Sequence, residues 1–156
     1  MNTVDFQVIF KSPEQPNQQK IQYWIDTVLE NLEEDTEIVV RIVDEQESAQ
    51  LNEYYRHRTG ATNILSFPFE APDIEGFTSE LLGDLVICAP VLQREAIEQQ
   101  KNISDHWAHI IVHGVLHLLG YDHIEETDAE EMENKEIAIL KKMNINNPYI
   151  TQVINQ

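Results

Sequence analysis

Cysteine is nearly absent from this chain. Cys88 stands alone, so no internal disulfide can form and the fold must hold itself together by packing. The N-terminus, MNTVDFQVIF, has neither a basic start nor a signal-like apolar core. With the lone thiol, this predicts a reducing, cytoplasmic setting. Long apolar runs are also missing. The longest, HWAHIIVHGVLHLLG, is broken by four histidines and is too short and polar to span a bilayer, so a soluble protein is expected. Cations are scarce as well: 10 Lys and Arg face 28 Asp and Glu, a formal net charge of -18. Such a surface argues against nonspecific adhesion to nucleic acid and makes any local basic patch informative. No repeat or low-complexity segment is present, and 156 residues fit one domain.

Alternation of Val4, Phe6, Val8 and Phe10 predicts a first strand over 3–10. Helical spacing of Ile21, Trp24, Ile25, Val28, Leu29 and Leu32 predicts a helix over 17–32 with Trp24 in the core. The β-branched run at 37–43 reads as a buried strand, followed by a helix capped by Asp44 with Glu47, running to about Arg58 and closed by Gly60. Strand residues at 64–69 are broken by Pro68, which cannot donate to a ladder and so predicts an edge strand. A turn-rich loop over 70–80 leads into a buried strand over 81–89, in which Cys88 packs. Pro90 opens a third helix to about Gln100, Ser104 caps a fourth to Leu119, and Thr127 with Glu130 forms a capping box for a fifth to about Met143. The tail from Asn144 is polar and expected to fray. This order, βαβα, two strands, then three helices, predicts an α+β (α/β-like) domain with a mixed, mostly parallel four-stranded sheet flanked by about five helices. Two βαβ steps predict parallel pairs, and the loop over 70–80 together with Pro68 allows an antiparallel partner at the edge.

The most chemically specific stretch is HGVLHLLGYDH, 113–123. On a helix, His113 and His117 lie one turn apart on one face, Gly120 can end the helix in a left-handed conformation, and His123 can return as a third nitrogen ligand. Three neutral imidazoles suit a zinc ion and leave a fourth position for water, the arrangement of a catalytic site. The spacing is that of the long zinc-protease signature, except that the glutamate serving there as general base is here Gly114. A metal site without that base points away from ordinary peptide hydrolysis.

His106 and His109 fall on the same helical stripe, and His109 with His113 has the same spacing of four as His113 with His117. Gly120 and His123 favour the later pair, leaving His106 and His109 as rim, outer partners or satisfied polar groups. The best basic patch is Arg56, His57 and Arg58, holding two of four arginines. It reads either as cations favoured at a helix C-terminus or as a phosphate-binding fork. Asp84 is a carboxylate within an apolar run, either at a strand end or orienting a histidine. Asn63 and Ser66 read as turn or backbone hydrogen-bond formers, and Met132 as core.

NILSFPF, LLGDLVI and above all HGVLHLLGYDH, in this order and at these separations, resemble the YbeY family of bacterial rRNA maturation factors. The resemblance spans most of the domain. It implies a single-strand-specific, metal-dependent endoribonuclease over 1–156 that acts on 16S rRNA ends and in ribosome quality control. Its expected partners are single-stranded RNA and the ribosomal small subunit or ribosome-associated proteins. It implies zinc on His113, His117 and His123, and a functional arginine at Arg56 that stabilises phosphoryl charge. Asp122, beside His123, is a candidate general base or histidine orienter. Two rivals remain at this point: a protease-like metallohydrolase, against which Gly114 counts, and a zinc-stabilised ribosome assembly factor without significant catalysis, which the acidity favours.

Overall fold

The computed structural model describes residues 1–122 and 125–150. Among them the chain forms β1 (Asn2–Val8), α1 (Gln18–Val28), β2 (Thr36–Val43), α2 (Glu45–Arg56), β3 (Ile64–Pro68), β4 (Leu81–Cys88), α3 (Ala89–Glu98), α4 (Ile103–Leu118) and α5 (Glu126–Lys142). The strands form one four-stranded sheet in the order β1-β2-β4-β3. β1 with β2 and β2 with β4 are parallel, whereas β3 runs antiparallel to β4 with Pro68 opposite Gly83.

The mixed sheet agrees with the expectation, but only one of the two expected βαβ steps gives adjacent parallel strands. β1-α1-β2 does so. After α2 the chain passes over the place beside β2, lays down β3 at the edge, and returns as β4 to fill that place. Pro68 is tolerated there because an edge strand needs no second ladder.

One face of the sheet carries the main core. Ile38, Val40, Ile42, Leu85 and Ile87 pack with Ile21, Trp24 and Ile25 of α1 and with Trp107, Ile111, Val115 and Leu116 of α4. The opposite face holds a small cluster of Val43, Leu65 and Val86 beneath Leu51 of α2. Helix α4 touches β3, β4, α1, α3 and α5 and is buried over most of its circumference.

Helix boundaries differ from the sequence expectation at several ends. Asn102, not Ser104, caps α4 by accepting from the Asp105 amide at 3.1 Å. The Thr127 box does not cap α5, whose N-cap residue is Glu125 without a side-chain cap bond. Asp44 does cap α2, accepting from the Glu47 amide at 2.9 Å. That helix ends at Arg56 because His57 itself adopts a left-handed conformation (φ 57°), ahead of Gly60.

Candidate metal centre and active site

The C-terminal half of α4 sets the geometry. The turn after it is a Schellman closure: the Gly120 amide donates to the His117 carbonyl at 3.0 Å and the Tyr121 amide to the Leu116 carbonyl at 3.1 Å. Gly120 takes φ +103°, which any side chain would strain. On the last turns of the helix the imidazoles of His113 and His117 converge, with their Nε2 atoms 3.1 Å apart. Two nitrogens held by one tetrahedral zinc ion at about 2.0–2.1 Å lie about 3.3 Å from each other. The observed spacing therefore fits such a donor pair. His123, the third expected ligand, lies outside the described residues. Among the described residues no group of three or more His, Cys, Asp or Glu side chains is placed to hold a metal.

The sequence reading missed the residue that holds the first histidine. Glu136 of α5 is fully buried, and its Oε2 accepts from His113 Nδ1 at 2.8 Å. Its Oε1 accepts from His109 Nε2 at 2.8 Å and from the Tyr149 hydroxyl. Burial alone pushes the Glu136 carboxyl up, but the hydrogen bonds from His109, His113 and Tyr149 outweigh it and bring the pKa down to about 2. Burial, then Glu136 itself, pushes the Tyr149 hydroxyl above its usual range, which keeps it a donor. An ionised carboxylate only accepts, so His113 carries its proton on Nδ1 and presents the Nε2 lone pair toward His117. This is the carboxylate–histidine arrangement that fixes tautomer and ring orientation in metal sites. A signal for it existed in the sequence: Met132, Glu136 and Leu140 share one helical face, so Glu136 occupies a core position on α5.

The other histidines serve different partners. His106 is buried and its Nε2 donates to Glu95 Oε1 at 2.9 Å, while Asn63 Nδ2 reaches the same carboxylate at 3.3 Å. The Nδ1 atoms of both His106 and His109 are buried without a hydrogen-bond partner among the described residues. Both histidines line a cavity of about 680 Å³ with Asn102, Asn147 and Tyr149. Among the described residues the carboxylates that orient histidines are thus Glu95 and Glu136, not Asp84. Asp84 lies on β4 opposite Phe67, with its pKa raised by burial and by Asp5.

Gly114 shows why the protease glutamate has no place here. A Cβ at 114 would lie 2.6 Å from Ile64 Cδ1, 3.0 Å from Leu85 Cδ2 and 3.3 Å from Ser66 Oγ. The position faces the sheet, so a glutamate would be driven into the core as an unpaired charge.

Arg56 is exposed at the end of α2, and its Nη2 donates to the Ser66 carbonyl on β3 at 3.2 Å. Ser66 Oγ in turn donates to the Gly114 carbonyl at 3.4 Å. Two hydrogen bonds therefore tie Arg56 to the helix that carries the histidine pair. Asp122 is exposed and lines a separate cavity of about 400 Å³ with Asp128 and Glu131.

Comparison with known proteins places the chain in a family. The family described as Endoribonuclease YbeY matches residues 7–144. Proteins named Endoribonuclease YbeY are similar over most of their length. That of Methylococcus capsulatus is 57% identical over 134 residues, 86% of this chain and 87% of its own. Those of Nitrosococcus oceani and Colwellia psychrerythraea are 50% and 46% identical, covering 94% and 97% of this chain and 96% and 99% of theirs. A solution structure from Thermotoga maritima shares the fold, with a TM-score of 0.59 at 18% identity over the whole of both chains. The chain belongs to the Endoribonuclease YbeY family.

Proposed function

We propose that this chain is a single-strand-specific, zinc-dependent endoribonuclease that matures 16S rRNA ends on or near the ribosomal small subunit. The observation that carries the reading is the convergent His113–His117 pair, oriented by buried Glu136, in a chain of this family. The metal ligands are His113, His117 and His123. When bound, zinc supplies Lewis-acid polarisation of the scissile phosphate and acidification of the attacking water.

The chain's own residues do the rest. Glu136 holds the His113 proton on Nδ1 and so keeps the Nε2 lone pair available. Arg56, with one arm anchored on the Ser66 carbonyl, presents its remaining N–H groups to the phosphate and stabilises charge developing on it. Asp122, adjacent to His123, is positioned in sequence to accept a proton or to orient that ligand. A net charge of -18 works against free RNA, so docking through a ribosomal protein would supply affinity that the surface lacks. The buried, unpaired Cys88 suits a reducing cytoplasm, and no helix among the described residues is long and apolar enough to cross a membrane.

The test pairs metal content with cleavage of a short single-stranded RNA. The purified chain is expected to carry about one zinc ion. His117→Ala loses both metal and cleavage. Arg56→Ala keeps its metal and loses about 100-fold or more in cleavage rate. Unchanged zinc content and unchanged cleavage in His117→Ala overturn the scheme. Zinc-loaded protein that binds ribosomal subunits without cleaving any RNA supports an assembly role instead.

A further inference from the structure

The last turn of α2 bears a surface that the metal centre does not use. Tyr54 is 74% and Tyr55 56% exposed, unusual for side chains that gain so much from burial. Their ring centroids lie 4.7 Å apart at 75°, and the Tyr55 ring meets Phe67 of β3 at 5.1 Å and 64°. The rings therefore stand on a helix end braced by a strand, not on a loose loop. Arg56, His57 and Arg58 follow immediately. Arg41 and Arg94 are paired with Glu47 and Glu45, whereas among the described residues Arg56 and Arg58 form no ion pair. In a chain with 28 acidic side chains, this leaves one spot where exposed aromatic faces and uncompensated arginines coincide.

Resting on the endoribonuclease reading above, we propose that Tyr54 and Tyr55 are a stacking platform for bases of the single-stranded RNA substrate, with Arg58 on the adjoining phosphates. Every base offers a π-face, so such a platform tolerates any sequence. Bases inside a duplex are already stacked and cannot reach it. The platform thereby selects single strands, while the acidic remainder of the surface repels the backbone and confines it to this side. Arg56, the next residue after Tyr55, connects through Ser66 and Gly114 to the helix carrying His113; on this proposal the stacked nucleotides flank the scissile bond.

The test measures binding of a labelled 2′-O-methyl oligoribonucleotide and of the same strand with abasic residues, using the purified full chain with its metal. Tyr54→Ala and Tyr55→Ala are each expected to weaken binding of the base-bearing strand about tenfold and to change abasic binding by less than about twofold. Tyr54→Phe retains affinity. Arg58→Ala weakens both strands alike and lowers the salt slope by about one. Equal affinity of the wild type for the two strands, or equal losses on both in the tyrosine variants, overturns the platform. Cleavage of unmodified RNA is followed in parallel: base-dependent binding without cleavage supports the platform and removes the endoribonuclease reading, whereas cleavage without base dependence removes the platform alone.

Discussion

His106 and His113 stand two turns apart on one face of α4, and each gives a ring nitrogen to a glutamate at nearly the same distance, 2.9 and 2.8 Å. The nitrogens differ. His106 gives Nε2 to Glu95, which leaves Nδ1 near the backbone, buried and without a partner among the described residues. His113 gives Nδ1 to Glu136 and so projects Nε2 outward to meet His117 at 3.1 Å. Side-chain exposure follows the same division, 3% at His106 and 25% at His113. A carboxylate behind a histidine therefore does not by itself leave a nitrogen aimed where an ion could be held. What matters is which nitrogen it takes and where the other one points.

That comparison breaks most readily at Glu136. Glu136→Gln disturbs His109, His113 and Tyr149 together and is expected to weaken zinc binding about 10- to 100-fold, read by competition with a chromophoric chelator. An equal loss in Glu95→Gln would erase the distinction between the two pairs. Glu95→Gln is expected instead to leave zinc affinity within about twofold and to cost about 1–2 kcal/mol in urea unfolding at neutral pH.

The pH dependence sharpens the Glu95 case. Burial raises the Glu95 carboxyl, but hydrogen bonds from His106 and Asn63 and the charge of His106 bring it below the ordinary value of 4.5. A depressed carboxyl stabilises the fold above its unfolded pKa and loses that contribution as pH falls through the folded value. The stability gap between wild type and Glu95→Gln should thus hold at neutral pH and narrow progressively below pH 4.5. A gap that widens on acidification contradicts the assignment. The smallest effect belongs to Tyr149→Phe, which removes one of three donors to Glu136. It is expected to weaken zinc binding by less than about fivefold and to lower stability by about 0.5–1 kcal/mol.

Much of this was legible in the residues. The period of the α4 histidines placed them on one stripe, Gly120 announced the turn, and Pro68 identified the edge strand, because each rests on a local backbone rule. Glu136 was not legible in the same way. As one of 28 acidic residues it looked like solvated surface, and only tertiary packing of α5 on α4 puts it behind His113. Tyr149 lay in a stretch read as a fraying tail, and its hydroxyl is fixed by Glu136, a partner that local sequence does not reveal. After α2 the antiparallel edge pairing of β3 with β4 was legible from Pro68 and the loop before β4, whereas the second parallel step was not: alternation of strand and helix predicts that β3 lies beside β2, but that place goes to β4. Gly114 was visible as a departure from a protease pattern, yet its cause, the sheet within van der Waals reach, required the packed structure.

The burial of α4 among β3, β4, α1, α3 and α5 bears on how the site behaves in time. A helix held on so many sides opens only when the domain opens, so its amides belong to the slowest class in hydrogen exchange. On the proposed metal reading, the His113–His117 pair would be preorganised before an ion arrived, unlike a zinc finger, where metal binding and folding are one event. The same embedding restricts evolutionary drift: a substitution on α4 acts on the core and on the proposed ligands at once, and few can be silent in both.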